Sequence, residues 1–177
     1  MRNWIFRCLP LAALAFGSVG ALAQAASPTL PGGATALRET FDDWQVACTV
    51  QAGVKHCGLS QQQFGQNRQR LLGIEFMPAN AEGLAGTLVL PFGLLLENGV
   101  AGQIDDKSLG ARLKFRTCLP AGCIVPLSFN AATVASLRAG AVLKIAAEPS
   151  QGGEPITFTV SLKGFSGALE RAARLLK

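Results

Sequence analysis

The chain has 177 residues, of which 49% are hydrophobic, and it carries 16 basic and 11 acidic residues for a net charge of +5. That length and apolar content suffice for one domain with its own core. No block of the sequence is strongly basic, so the charge gives no case for binding nucleic acid. After the first two dozen residues, no apolar run is long enough to span a bilayer as a helix.

The N-terminus has the three parts of a cleavable secretory signal. Arg2 and Arg7 precede an apolar run from Cys8 to Ala23, and small residues allow cleavage after Ala23 or Ala25. A membrane anchor is the alternative, but the run is shorter than a span of about 20 residues and is interrupted. The sequence predicts a signal peptide over residues 1–25. It therefore predicts a periplasmic or secreted protein, with association with the outer membrane as a further option.

A Pro- and Gly-rich segment, residues 26–38, is typical of a linker and precedes one domain over residues 39–177. Short apolar runs separated by turn residues follow one another along this domain, which favours an all-β, mainly antiparallel sandwich or barrel. The predicted strands are Trp44–Val50, Cys57–Gln63, Arg70–Phe76, Gly86–Leu90, Leu94–Glu97, Val100–Asp105, Ala111–Cys118, Cys123–Phe129, Ala141–Ala147 and Ile156–Leu162.

Two helices are predicted within this β domain. Asn130 is a good N-cap for a short helix over residues 130–138, which ends before Gly140. Residues 166–176 place apolar side chains on one helical face and charged side chains on the others. A helix docked on the sheet is favoured over one lying on a membrane surface, because it is short and has no aromatic residue after Phe165.

Without Cys8 the exported chain has an even set of cysteines, Cys48, Cys57, Cys118 and Cys123, which favours disulfides. A turn centred on Ala52 and Gly53 pairs Cys48 with Cys57 at a position without backbone hydrogen bonds, where side chains are closest. In the second hairpin, residues 119–122 form the turn and Cys118 lies opposite Cys123. Farther from this turn the predicted register is less regular, and a β-bulge is one way to restore the alternation of buried and exposed side chains.

Sites with known chemical patterns are not evident in the sequence. His56, the sole histidine, and Cys57 would point to opposite faces of a strand, which argues against zinc. The pairs Asp42-Asp43 and Asp105-Asp106 resemble turns more than converging catalytic acids. No phosphate-binding glycine loop or Cys-x-x-Cys redox motif occurs. The sequence therefore predicts no catalytic residue, no metal and no cofactor.

Two segments are candidates for contact with a partner. Arg112, Lys114 and Arg116 alternate and would share one face of a strand, which could meet an anionic surface or simply be solvated. Residues 88–96 (LVLPFGLLL) are nearly all apolar. They would form either a buried strand pair with a Pro-Phe-Gly break or an exposed patch for a partner, and burial is favoured.

Several motifs together resemble the invasion-associated locus B family of exported bacterial envelope proteins. The resemblance extends from about Phe41 to Leu175. The residues that carry it are Phe41–Cys48, Cys57, Gln61–Gln63, Leu90–Gly93, Gly99-Val100, Ile104-Asp105, Phe115–Cys118, Gly122-Cys123 and Ser161–Phe165. It implies an envelope protein without known catalytic activity, whose family name refers to host-cell invasion. Only the four cysteines carry over from the family, as disulfide partners.

Three functions remain open at the level of sequence. The favoured one is a non-enzymatic envelope protein that binds another protein or an envelope component. The second is a carrier of a small apolar ligand, which would need a lined cavity inside the fold. The third, an enzyme with an unrecognised site, is disfavoured by the single histidine and the lack of metal-ligand spacing.

Overall fold

The computed structural model describes residues 29–79 and 83–177, and in this part of the chain eleven strands form two antiparallel sheets. A large sheet has the order β1-β2-β3-β4-β5-β9-β8, and a small sheet has the order β11-β10-β6-β7. The strands are β1 Ala36–Phe41, β2 Trp44–Gln51, β3 Val54–Phe64, β4 Arg70–Pro78, β5 Leu84–Leu90, β6 Val100–Ile104, β7 Lys107–Ser108, β8 Thr117–Leu119, β9 Gly122–Phe129, β10 Val142–Ala147 and β11 Ile156–Ser161.

Two open sheets confirm the mainly antiparallel prediction and select the sandwich-like form over the barrel. Both predicted helices are present as α1, Ala131–Ala139, and α2, Phe165–Leu176. The side chain of Asn130 accepts a hydrogen bond from the Thr133 amide and so caps α1 as expected. The signal peptide predicted over residues 1–25 lies outside the described residues and stays a prediction.

The β2–β3 hairpin has the predicted register. Cys48 lies opposite Cys57 and Val46 opposite Leu59, while Ala52 and Gly53 both have positive φ in the turn. Alternation along β2 buries Trp44, Val46 and Cys48 completely on one face. This face of the large sheet, together with the small sheet and α2, forms the core.

Both hairpins are closed by disulfide bonds, Cys48–Cys57 and Cys118–Cys123. The two Cα atoms are 4.1 Å apart in the first bond and 3.9 Å apart in the second. Each bond therefore links directly opposed residues next to a turn, as the hairpin argument predicts. Loop-closure entropy gives each bond a stabilising effect of about 2–3 kcal/mol.

The predicted strand Ala111–Cys118 is only partly formed, since β8 begins at Thr117. Pairing with β9 stops there, and the chain crosses to the small sheet, where Leu113 forms an isolated bridge with Val100. Continued pairing would have placed basic side chains on the core face beside Val125. The bulge expected in this strand is therefore absent from it, because the chain leaves the large sheet before Thr117. Similarly, the predicted strand Leu94–Glu97 is reduced to one bridge, between Leu94 and Pro149.

Strand β1 was not predicted. Residues 36–38, which composition assigns to the end of the linker, pair with β2, where Leu37 lies opposite Cys48. Composition misses this strand because its side chains alternate only between exposed and half-buried, without a strongly apolar face. β1 also positions Glu39, whose carboxylate accepts two hydrogen bonds of 2.7 Å from the Arg171 guanidinium on α2.

Polar side chains of β3 cover the free edge of β11. Gln61, which is 7% exposed, donates to the Ser161 carbonyl at 3.0 Å and accepts from the Ser161 amide at 3.3 Å. Gln63 donates to the Thr159 carbonyl at 2.6 Å, and the Trp44 indole donates to the Ser161 carbonyl at 2.9 Å. Side chains thus take the place of a neighbouring strand and pair with edge backbone groups of β11 that no strand reaches.

Replacing Gln61 with Ala should lower the free energy of unfolding by about 1–3 kcal/mol, because both backbone groups of Ser161 lose a partner. Gln62 is the matched control, since its side chain is exposed on the opposite face. Gln62→Ala should change the stability by less than about 0.5 kcal/mol. Urea unfolding followed by circular dichroism measures both variants. Equal effects at the two positions would contradict the bridging role of Gln61.

The Glu39–Arg171 pair should make stability depend on pH. The hydrogen bonds from Arg171 lower the pKa of Glu39 below its ordinary value of 4.5, against the opposing effect of burial. A lowered folded-state pKa stabilises the fold fully above the unfolded value, and this contribution is lost as pH falls through the folded value. In urea titrations from about pH 7 to about pH 3, the stability difference between wild type and Arg171→Gln should shrink below about pH 4.5.

The control for this pH effect is the same comparison in a Glu39→Gln background. Without the carboxylate, Arg171→Gln should produce a stability change that does not vary with pH over this range. A pH-dependent difference that persists in the Glu39→Gln background would assign the effect to another acidic group.

Candidate functional site

The three basic residues predicted to share one face of a strand all lie outside the regular strands. Arg112, Lys114 and Arg116 are exposed, while Leu113 and Phe115 between them pack against the core. Arg112 is held in place, since its Nε donates to the Asn98 carbonyl at 2.6 Å and it pairs with Glu148 at 3.2 Å. Among the described residues no carboxylate lies within 4.0 Å of the Lys114 or Arg116 cation.

The polar groups considered for catalysis lie in structural positions. His56 is exposed opposite Thr49, in the predicted register. Asp42 has a φ of 48° in the β1–β2 turn and pairs with Lys163 at 3.2 Å. The Asp105 carboxylate accepts hydrogen bonds from the amides of Ala141 and Val142, both at 3.0 Å. These two acids stabilise turns and strand junctions, as expected from the sequence.

The four cysteines are all bonded in pairs, so none is available as a thiolate ligand. Among the residues that the structure describes, no three potential metal ligands cluster together. Aromatic and aliphatic side chains fill the space between the sheets, including Trp44, Phe76, Phe165, Leu59 and Leu143, each at most 2% exposed. The filled interior gives no support to a carrier that encloses an apolar ligand.

The apolar segment 88–96 is buried in its strand part and exposed in its Pro-Phe-Gly break, so each of the two predicted alternatives holds for one part of it. Leu88 and Leu90 are buried in β5, and Leu94 is buried beyond the break. Phe92, in the Pro-Phe-Gly break, is 61% exposed and is the most exposed large hydrophobic residue of the described chain. The strand part therefore belongs to the core, while the break presents an aromatic ring to solvent.

Phe92 lies beside a groove at one end of the large sheet, which we name the aromatic–arginine groove. The end of β3, the start of β4, the end of β5 and the start of β9 meet there, since these strands are neighbours in the sheet. The groove has a volume of about 430 Å³ and is open to solvent. Its lining residues are Phe64, Arg68, Gln69, Arg70, Pro91, Phe92, Pro120, Ala121 and Gly122.

A β-bulge shapes one wall of the aromatic–arginine groove. Gln63 pairs with Leu72, but the next pair is Phe64 with Arg70, so Leu71 has no partner across the strands. Bulges redirect side chains at the ends of sheets. Here the bulge places Phe64 directly opposite Arg70 and leaves the Phe64 ring 55% exposed.

The loop between β3 and β4 is closed by its own hydrogen bonds. The Gly65 amide donates to the Gln69 carbonyl at 2.8 Å, and the Asn67 side chain accepts from the Gln69 amide at 3.1 Å. Arg68 adopts a φ of 60°, a conformation that non-glycine residues rarely take. This tight loop holds Arg68 at the groove.

The opposite wall is the tip of the β8–β9 hairpin, fixed by the Cys118–Cys123 bond. Gly122 has a φ of 132°, and a Cβ atom there would overlap the Leu90 carbonyl oxygen. Only glycine lets β9 approach β5 this closely, so Gly122 sets the distance between the hairpin tip and the Pro91-Phe92 segment.

The chemistry of the aromatic–arginine groove is both apolar and cationic. Two half-exposed phenylalanines and two prolines supply apolar surface, and two arginines line the groove without any acidic residue. The Arg70 Nε is buried and has no hydrogen-bond acceptor among the described residues. Neither Arg68 nor Arg70 has a described carboxylate within 4.0 Å, so both guanidinium charges lack a counter-charge from the described residues.

Sequence reasoning missed this groove because its residues come from three separate segments. Arg68 and Arg70 follow a predicted strand, and Phe92 was noted only as part of an apolar run. The one usable signal was the Pro-Phe-Gly break, where an aromatic residue sits in a turn instead of a strand. The strand order, which brings β3, β4, β5 and β9 side by side, could not be read from the sequence.

The chain is similar to known proteins over most of its length. An Invasion protein B homolog of Brucella abortus is 39% identical over 178 residues and covers 100% of both chains. Invasion protein B of Bartonella bacilliformis is 38% identical over 151 residues, which are 84% of this chain and 81% of that protein. The crystal structure of invasion associated protein b from Bartonella henselae is 35% identical, with a TM-score of 0.74, over 78% of this chain and 96% of that one.

The sequence model of the Invasion associated locus B protein family matches residues 44–173, which include both disulfides and most of both sheets. None of the helices in the described part of the chain is long and apolar enough to cross a membrane. Disulfides persist in oxidising compartments, so the two bonds indicate an exported protein. The family resemblance expected from the sequence is confirmed: this chain belongs to the invasion-associated locus B family.

Proposed function

We propose that this protein is an exported, non-enzymatic binding protein of the bacterial envelope, and that it contacts another envelope component through the aromatic–arginine groove. The observation that carries the proposal is the pairing of exposed aromatic rings with arginines in one groove. Aromatic residues and arginine are enriched at protein interfaces, where they contribute most of the binding energy. We propose a periplasmic or secreted location, with outer-membrane association as the result of such a contact.

Rigidity of the groove supports this proposal. The Cys118–Cys123 disulfide fixes the hairpin-tip wall, and the self-bonded loop next to the bulge fixes the opposite wall in the free protein. A preorganised site loses less conformational entropy when it binds than a mobile one, so more of its interaction energy appears as affinity. The residues of the groove include no histidine and no carboxylate, which fits binding better than proton-transfer chemistry.

A second contact surface within the same function is the basic face predicted from the sequence. Lys114 and Arg116 are exposed cations, whereas Arg112 is engaged by Glu148. We propose that Lys114 and Arg116 add attraction for an anionic envelope surface, which salt should weaken. The relatives are named for invasion, and a role in host contact is proposed here only as a downstream consequence of envelope binding.

Photo-crosslinking in intact cells tests the groove. A photoreactive phenylalanine analogue is placed at Phe92, and a matched control is placed at Val54, which is 54% exposed at the opposite end of β3. The proposal expects a discrete crosslinked product from position 92 and none from position 54. The same product from both positions, or none from position 92, would count against the groove as the contact surface.

A photoreactive residue at a third position distinguishes contact through the groove from contact through the basic face. The same photoreactive residue at Lys114 should give a product only if the basic face also touches the partner. If position 114 yields the product and position 92 does not, the contact surface moves to the basic face and the function remains one of binding.

A further inference from the structure

We infer that the aromatic–arginine groove binds the free C-terminal carboxylate of a protein chain whose last residue is apolar. This inference rests on the proposed function, because it names the chemistry of the partner at the same groove.

The charge of the groove selects an anion. Arg68 and Arg70 line it, and none of its lining residues is acidic. No carboxylate of the described residues lies within 4.0 Å of either guanidinium. A planar guanidinium matches a carboxylate through two parallel hydrogen bonds. A bound carboxylate would therefore supply the counter-charge that the described residues do not provide in the groove.

The spacing of the groove residues selects a ligand with an anionic and an apolar group close together. Phe64 lies directly opposite Arg70 in the strand pair, and side chains at such positions start about 5 Å apart. A C-terminal residue with an apolar side chain carries both groups on a single Cα. An internal Asp or Glu carries the charge alone and needs a second residue to reach the aromatic ring. The direct opposition of Phe64 and Arg70 thus favours a chain terminus.

The size and shape of the groove favour a chain end over a lipid. Its volume of about 430 Å³ is near the lower end for pockets that enclose a small ligand, and it is open to solvent. A long acyl chain would need a continuous apolar lining, but Arg68, Gln69 and Arg70 occupy one side. Phe64 and Phe92, with exposed fractions of 55% and 61%, offer apolar contact for a terminal side chain.

Binding of two peptides of the same sequence tests the inference. Both peptides end in Leu-Phe; one has a free carboxylate and the other a C-terminal amide. Fluorescence anisotropy with the purified protein should show binding of the free acid at least about tenfold tighter than of the amide, since hydrogen bonds to charged groups carry this much discrimination. Equal affinity of the two peptides, or no binding of either, would overturn the inference.

Variants of the protein tie this discrimination to the groove. Arg70→Gln and Phe92→Ala should each weaken binding of the free acid by about tenfold or more. Arg38→Gln, which changes an exposed arginine on β1 outside the groove, should leave the affinity unchanged. Thermal unfolding of each variant checks the fold, and Phe92→Ala keeps the test valid if Arg70→Gln is unstable, because Phe92 is mostly exposed.

The inference and the proposed function can fail separately. If position 92 crosslinks in cells but neither peptide binds, the chain-terminus inference is wrong and the envelope contact stands. If phosphatidylglycerol vesicles bind in an Arg70-dependent manner and the peptides do not, the groove takes a lipid and the inference is again wrong. If neither crosslinks nor binding occur, both proposals fall.

Discussion

Replacing Trp44 with Ala should destabilise the protein by about 3–5 kcal/mol, a large part of the stability of a domain of this size. Trp44 is fully buried, and its ring centroid lies 5.9 Å from that of Phe76 and 5.2 Å from that of Phe165. Its truncation would leave a cavity where β2, β4 and the start of α2 meet. It would also leave the Ser161 carbonyl with one hydrogen-bond donor fewer.

Trp44→Phe separates packing from hydrogen bonding. It keeps an aromatic ring in the cluster but removes the indole donor, so its cost should be smaller, about 1–3 kcal/mol. Urea unfolding followed by far-ultraviolet circular dichroism measures both variants, since the substitutions remove a fluorescent residue. If Trp44→Ala and Trp44→Phe were equally stable, the aromatic cluster would not hold α2 to the sheet.

Local patterns in the sequence were sufficient to predict the β2–β3 hairpin. The spacing of Cys48, Ala52, Gly53 and Cys57 fixed the register, because alternation along paired strands leaves few choices once the turn is placed. The capped helix after Asn130 and the amphipathic helix at the C-terminus were also predictable, since capping residues and helical periodicity are local signals. These elements required no information about distant parts of the chain.

Long-range pairings were not predictable by the same reasoning. β1 has no strongly apolar face, so composition alone placed residues 36–38 in a linker. The departure of the chain from β9 before Thr117 depends on the small sheet, which offers Val100 as an alternative partner for Leu113. In both places tertiary contacts decide the backbone path, and a local pattern could not report them.

The aromatic–arginine groove also depends on long-range pairings that local patterns do not predict. Phe64, Arg70, Phe92 and Gly122 are brought together only by the order of four strands in the large sheet. The basic face of Arg112, Lys114 and Arg116 was visible in the sequence because its residues alternate within one segment. Whether either surface binds a partner stays a prediction, to be decided by the crosslinking positions above.

Two residue patterns that resembled the family have a physical explanation in the core. Gln61 and Gln63 cover the edge of β11, and Gln62 between them faces solvent. In the segment Ser161–Phe165, Ser161 receives the Gln61 and Trp44 hydrogen bonds and Phe165 completes the aromatic cluster. Gly164 lies between them at the start of α2.

Gly164→Ala should destabilise the protein by about 3 kcal/mol or more, since it combines two penalties. Gly164 has a φ of 85°, and a Cβ atom there would overlap the carbonyl oxygen of Phe41 at the β1–β2 turn. The backbone fixes the positions of both the Cβ atom and the carbonyl oxygen, so a change of side-chain rotamer cannot relieve the overlap. The substitution should push α2 away from the turn and weaken the Lys163–Asp42 pair, whose nitrogen and oxygen are 3.2 Å apart.

Gly93→Ala is the matched control for this prediction. Gly93 has nearly the same φ, 86°, but a Cβ atom there would meet nothing within 4 Å. Its substitution should therefore cost only the conformational penalty of a positive φ, about 1–2 kcal/mol. The difference between the two variants in urea unfolding isolates the close approach of α2 to the β1–β2 turn. Equal losses at the two glycines would mean that this approach contributes nothing, because positive φ alone would then explain both.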